Sequence, residues 1–259
     1  MWQTVFFALS GPPEAKAPHH FERAMNTNDE DIRGSTAFDA TSEAPRPEPA
    51  KRKSRPRSAK TTRENILRAA KKIFSKDGYD GARVDKISKA AKSYDSLIYY
   101  YFGSKEKLFV EVLEGAYKDI FEAEKNLELD MEDPVGSLRK IIEFPFRYYL
   151  ANPEVITLLG TENLQKGKHI GKSRTADQYA LPAISILEEV IQRGVDKGLF
   201  RKGVNCRKLY MAMTALGYFY VSNRYTFSAF LNVDLMDAEK IDGWASYMSD
   251  LLLDSVLKK

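Results

Sequence analysis

Tyr94, Asp95, Ser96, Tyr99 and Tyr100 crowd into one short segment, with Arg83 and Ser93 ahead of it and Lys105 behind. A serine or tyrosine hydroxyl can serve a base edge or a phosphate, and an aspartate can accept from a cytosine amino group. A lysine in the first turn of a helix can pair with a phosphate, where free backbone N–H groups already favour an anion. This is the chemistry of nucleic-acid contact. Bond-making chemistry has little to stand on. The chain holds one cysteine, Cys206, and three histidines, His19, His20 and His169. They form no metal cluster and no Ser/His/Asp arrangement, and no Gly-rich phosphate loop is present. A catalytic helical protein is therefore the weaker reading, and no cofactor or metal is expected.

The elements that must position these residues are helical. Ile66, Ala69, Ala70, Ile73 and Phe74 recur at helical spacing over Thr61–Lys76. Thr61 and Glu64 form a capping-box pair ahead of that stripe, and Gly78 is placed to stop the helix. A second helix is predicted over Val84–Ala91 and a turn near Lys92-Ser93. A third, over Tyr94–Phe102, ends at Gly103, and Ser104 can cap a fourth. Ile98 and Phe102 lie four apart and should face Ile73, Phe74 and Ile87, leaving Tyr99 and Tyr100 outward. A helix–turn–helix lays its second helix in the major groove with the N-terminal residues deepest. That makes Tyr94, Asp95 and Ser96 the expected base-edge or phosphate contacts.

Everything after Lys105 also reads helical. The spacing predicts helices from Lys105 to about Leu129, from Asp133-Pro134 to Asn152 with a kink at Pro145, and, after a break at Asn152-Pro153, a shorter one to about Gln165. A polar loop follows over Gly167–Thr175, with His169 taken as a surface residue. Further helices cover Ala176–Lys197, stopped by Gly198, then Arg207–Phe230 and Asp237–Leu257. No alternating strand pattern of useful length and no internal repeat appear.

Charge is distributed unevenly. The net charge of +4 divides into −4 over residues 1–50, +11 over 51–109 and −3 over 110–259. A basic segment between acidic ones marks a polyanion site, against the alternative of a solvated Lys-rich surface. A sequence-independent DNA-packaging protein would be basic throughout, and the acidic back half argues against it. Residues 1–60, rich in Pro, Ala, Ser and Glu, read as a disordered tail. Its last part, 51–60, is a basic arm whose Arg52, Arg55 and Arg57 can follow phosphates or enter the minor groove. Met25 offers an alternative start. No apolar run reaches the roughly 18–20 residues of a membrane span, so a cytoplasmic protein with no membrane partner is expected. A single cysteine suits a reducing compartment.

The run Tyr99, Phe102, Gly103, Ser104, Lys105, Glu106 and Leu108 resembles the end of the DNA-binding domain in the TetR family of transcriptional regulators. Ile87 and Ala91 match that family's supporting helix, and Phe74 and Gly78 the end of its first helix. The resemblance covers residues 61–109 well. It implies an all-α protein: an N-terminal three-helix helix–turn–helix domain, then a larger helical ligand-binding and dimerisation domain over 110–259. It further implies a homodimer on a palindromic operator in double-stranded DNA, most often a repressor, released by a small molecule. Two positions depart from the family. Lys92 stands where the turn usually has Gly, and Tyr94 where the family has a small polar residue.

The back half is dense in aromatic residues. Phe144, Tyr148, Tyr179 and Tyr220, with Arg147, Asn223 and Arg224 as polar anchors, are candidates to line a pocket for a small, largely apolar or aromatic effector. Ordinary core packing is the competing explanation for each of them singly. Leu209, Met213 and Leu216, and Met248, Leu252 and Val256, form apolar stripes on the last two helices. The resemblance implies a four-helix bundle between subunits built on those stripes.

Overall fold

The computed structural model describes residues 59–173 and 177–259, with side chains described from residue 182 in the second stretch. The basic arm with Arg52, Arg55 and Arg57 lies outside the described residues, as does the side chain of Tyr179. Nine α-helices follow one another among the described residues: α1 Ala59–Gly81, α2 Val84–Ala90, α3 Asp95–Phe102, α4 Lys105–Lys125, α5 Pro134–Ala151, α6 Pro153–Leu164, α7 Asp177–Asp196, α8 Cys206–Leu231 and α9 Ala238–Asp254. A 3-10 turn over Ile170–Lys172 links α6 to α7. The described residues contain no strand, only one bridge between Phe200 and Leu257. The all-α expectation holds.

The helix ends have local causes. Ser104 caps α4 by accepting from the Lys107 N–H at 3.1 Å. Asp133 accepts from Gly136 N–H at 3.0 Å, with Pro134 at the first helical position of α5. Other boundaries differ from the sequence reading. α1 already runs from Ala59, so Thr61 sits inside the helix and is not its cap. Gly78 breaks the helix at φ 68°, ψ −177°, but a last turn, Tyr79–Gly81, continues beyond it. α4 stops at Lys125, short of Leu129. α5 runs from Pro134 to Ala151 with Pro145 inside it, in keeping with the predicted span.

Two hydrophobic cores result. The first gathers Ile66, Ala70 and Phe74 from α1, Ile87 from α2, Ile98 and Phe102 from α3, and Leu108 and Phe109 from α4, with Leu158 of α6 added. The second centres on α5, whose Leu138, Ile142 and Phe146 meet Leu187 and Val190 of α7, Met213 of α8 and Met248 of α9. α8 approaches α5 closely at Gly217, where a Cβ would stand 3.0 Å from the Phe146 backbone.

The last two helices bring a correction. Leu209, Met213, Met248, Leu252 and Val256 are buried in the chain's own second core, and Leu216 packs against it. Each side chain of this size adds roughly 1.5–3 kcal/mol when fully buried, so the five buried residues hold the subunit together, and only Leu216 keeps part of its surface open. A second, exposed apolar stripe runs along the outside: Met211 and Phe219 on α8, Tyr247 and Leu251 on α9.

Candidate nucleic-acid interface and regulatory interior

The helix–turn–helix is built by α2, a tight turn and α3. Ala91 N–H donates to Ile87 O at 2.9 Å, and Ser93 N–H to Ser88 O at 2.9 Å. Between them Lys92 adopts φ 51°, the left-handed conformation for which glycine is the usual residue. The Ser88 hydroxyl donates to the Asp95 carboxylate, tying the start of α3 to the middle of α2. Ile98 and Phe102 point into the first core. The opposite side of α3 is open: Tyr94 and Tyr100 are each 78% exposed, Tyr99 is more than half exposed, and Ser96 faces solvent.

Not every anticipated contact lies on that open side. The Ser93 hydroxyl is buried and has no hydrogen-bond partner, which withdraws it from the exposed face. Asp95 spends one oxygen on Ser88. Arg83 is well exposed but bonds Asp85 at 2.9 Å, and this contact holds the Asp85 carboxyl below the usual carboxylate range. Lys105 folds inward, its Nζ 4.6 Å from the centre of the Tyr79 ring, and burial lowers its pKa. Lys107, one half-turn on, is exposed beside Gly103 and makes no ion pair with the described residues. The sequence reading missed Lys107. The signal was available, because Ser104 as cap makes Lys107 the N3 residue at an exposed helix start.

Among those whose side chains are described, the proposed pocket residues do not converge. Arg147 pairs with Asp242 at 2.8 Å and Glu143 at 3.8 Å, tying α5 to α9. Asn223 bonds the Phe219 carbonyl of its own helix at 3.0 Å. The Arg224 guanidinium lies over Tyr225, 4.3 Å from the ring centre. Tyr220 is buried and donates to Leu235 O at 2.6 Å, a structural bond. Phe144 and Tyr148 do meet, 5.6 Å apart.

A different polar interior lies between α4, α5 and α8. Glu124 is buried, and burial pushes its carboxyl up to about 7 although the Tyr210 hydroxyl bonds to it. Burial, and then the Glu124 charge, push the Tyr210 hydroxyl well above its ordinary value. Tyr149 is raised by burial and feels Tyr117, Tyr218, Glu124 and Tyr148, so these groups share one neighbourhood. Tyr149 and Tyr218 meet edge to face at 5.9 Å. Tyr210, Thr214 and Tyr218 follow at four-residue spacing on one face of α8, and the buried Thr214 hydroxyl has no hydrogen-bond partner. The interior therefore offers aromatic faces, several hydroxyls and one carboxyl that forms no ion pair among the described residues. These are the chemical groups that a flat ligand with a few polar atoms would need.

His169 is the largest correction. It is fully buried, not on the surface. Its ring packs 4.4 Å from Tyr79 and 5.0 Å from Phe109, and its Nδ1 lies 2.8 Å from Glu162.

Comparison with known proteins agrees with this geometry. The family profile for bacterial regulatory proteins of the tetR family matches residues 66–112, and the one for tetracyclin repressor-like C-terminal domains matches residues 134–252. The HTH-type transcriptional repressor NicS of Pseudomonas putida is 46% identical over 199 residues, 77% of this chain and 94% of NicS. The chain belongs to the TetR family of transcriptional regulators. The HTH-type transcriptional repressor SCO4008 of Streptomyces coelicolor is 32% identical over 111 residues, 43% of this chain and 54% of its own. In fold, a TetR transcription regulator from Haloarcula marismortui is similar at a TM-score of 0.58 and 18% identity, covering 77% of this chain and all of that one. Within this TetR-family chain, α2 and α3 fall inside the first match and the Glu124 interior spans the second and the helix before it. No helix among the described residues is long and apolar enough to cross a membrane.

Proposed function

We propose that this chain is a dimeric, ligand-responsive repressor that binds a palindromic operator through α3 and is released by a small molecule. Residues 61–109 act as the reading head, and residues 110–259 bind the effector and the second subunit. The basic arm over 51–60 adds affinity through phosphates, and the protein works in the cytoplasm, on the nucleoid when bound. The observation that carries this reading is the open face of α3. Tyr94, Ser96, Tyr99 and Tyr100 stand out from a buried Ile98–Phe102 ridge, with the exposed cations Lys89, Lys92 and Lys107 around them. Of the nearby carboxylates, Asp85 is paired with Arg83 and, at longer range, Lys89, and Asp95 is held by the Ser88 hydroxyl. Phosphate affinity then comes from the cations and base choice from the hydroxyls.

The second subunit is expected on the outer stripe of α8 and α9, since a large apolar patch left wet invites association. The effector is small, aromatic and largely apolar, and the Glu124 interior supports it better than the Arg147 set does. Selection from a random duplex library tests DNA binding: a palindrome should be enriched, with affinity falling steeply as salt rises. No enrichment at any salt would overturn the reading. For the effector, calorimetry of an aromatic acid and amine panel with and without the selected DNA is decisive. Reciprocity requires the ligand that relieves DNA binding to bind the DNA complex more weakly by the same factor.

A further inference from the structure

The end of α1 and the turn after α6 meet around one histidine. Glu162, on α6, accepts from three donors at once: the His169 N–H at 2.7 Å, the Ile170 N–H at 2.8 Å, and the His169 ring through Nδ1 at 2.8 Å. An ionised carboxylate only accepts, so Nδ1 carries its proton and the tautomer is set by that contact. The ring's other nitrogen, Nε2, is buried and has no hydrogen-bond partner. The imidazole is thus held from one side only. Its faces and edges are spent on Tyr79 and Phe109, which themselves lie 5.0 Å apart.

Tyr79 reaches this place because Gly78 breaks α1. The left-handed φ of 68° turns the last turn of the helix toward α6, and Thr161 Oγ1 lies 3.8 Å from where a Gly78 Cβ would be. Polar contacts flank the ring cluster. Gln165 bonds Asp80 at 3.2 Å, and Lys172 pairs with Glu106 at 2.7 Å. α1 and α4 carry the reading helix through the first core, so whatever orients their junction with α6 orients α3. Burying an imidazole nitrogen with no partner forfeits its hydration without return. A phenylalanine would fill that space without the cost, but would lose the bond to Glu162.

We propose that His169, seated by Glu162, is the positioning residue that sets the angle at which the reading head stands on the rest of the subunit, and so sets the distance between the two heads of a dimer. This inference rests on the DNA-binding reading above. Heads fixed by a rigid joint demand one operator spacing, because each added base pair moves a half-site by about 3.4 Å and roughly a tenth of a turn.

The experiment uses the full chain and the palindrome selected by the unmodified protein, together with that palindrome lengthened or shortened by one base pair at its centre, and a single half-site. Binding is read by fluorescence anisotropy. His169→Ala should lose roughly tenfold in affinity for the selected spacing, keep its half-site affinity, and lose most of its discrimination against the altered spacings. Glu162→Gln, which keeps the shape and weakens the seat, should lie between the two proteins. His169→Gln, which retains a donor for Glu162, should recover spacing preference in part. An equal loss on every DNA, half-site included, would mean that His169 only stabilises the fold, and unchanged discrimination would mean that the joint lies elsewhere. Either result overturns the inference. If His169→Ala does not fold, the Glu162→Gln and His169→Gln pair carries the same comparison. An unmodified protein that selects no palindrome would remove the DNA-binding reading itself, a different failure.

Discussion

Glu124→Gln should make the protein more stable above neutral pH and leave it unchanged below about pH 4.5. Glu124 is buried at the end of α4, and burial raises its carboxyl from 4.5 to about 7, with the Tyr210 hydroxyl offsetting part of the effect. In the unfolded chain the group titrates near its ordinary value. Between those two pH values the folded state holds a proton that the unfolded state has released, so stability falls as pH rises through this window. Below it both states are protonated and the residue costs nothing. Above it the fold carries a buried carboxylate. At 1.36 kcal/mol per pH unit the gap corresponds to about 3 kcal/mol. For a protein of this size that is roughly 6–12 °C in Tm. Glutamine keeps the shape and the acceptor for Tyr210 without the charge. Thermal unfolding of both proteins at intervals from pH 4.5 to 8.5 should therefore give curves that coincide at the acid end and diverge through neutrality. Tyr210→Phe, which removes the donor, should deepen the loss at high pH. Parallel curves, or a Gln variant less stable at pH 8, would refute the argument and show Glu124 to be ionised and compensated.

Three further outcomes follow from particular side chains. Lys92→Gly should raise stability by about 1 kcal/mol in a denaturant titration, since the left-handed φ of 51° strains a lysine and not a glycine. Lys107→Ala should weaken binding to all DNA sequences alike and lower the slope of log affinity against log salt by about one, whereas Lys105→Ala, with its ammonium over Tyr79, should leave that slope unchanged in the same anisotropy series. Tyr247→Glu with Leu251→Lys should give folded monomers by sedimentation, because both residues are exposed; Leu252→Lys, one residue on but buried, should instead unfold the chain, seen as lost helicity.

The short-range content of this fold was readable in advance. Caps at Ser104 and Asp133, the stop at Gly198 and the buried Ile98–Phe102 ridge depend on neighbours within one or two turns. What could not be read depends on which surface another helix covers. A helix with two apolar stripes looks the same whether the stronger one faces its own core or a partner, and Leu252 was assigned to a partner for that reason, while it is buried in its own core. His169 sits in a stretch of Lys and Gly that reads as solvated, and only the bend at Gly78 brings Tyr79 over it. Glu124 was closer to legible. Leu113, Ala116, Ile120 and Glu124 follow at helical spacing, so a charged residue closes an otherwise apolar stripe. Such an interruption is a better pointer to a polar interior than aromatic density, which also marks ordinary core.

The break at Gly78 makes the seam between reading head and remainder different from the seam in the chain. α1 contributes Ile66, Ala70 and Phe74 to one core, and then its final turn delivers Tyr79 and Asp80 to the turn that follows α6. A chimera joined after residue 109 would look like a clean exchange of heads. It would instead mate a foreign Tyr79 counterpart with the native Glu162–His169 seat. Heads from relatives should transplant with their own sequence preference intact only when residues 162–172 travel with them as a second, non-contiguous graft.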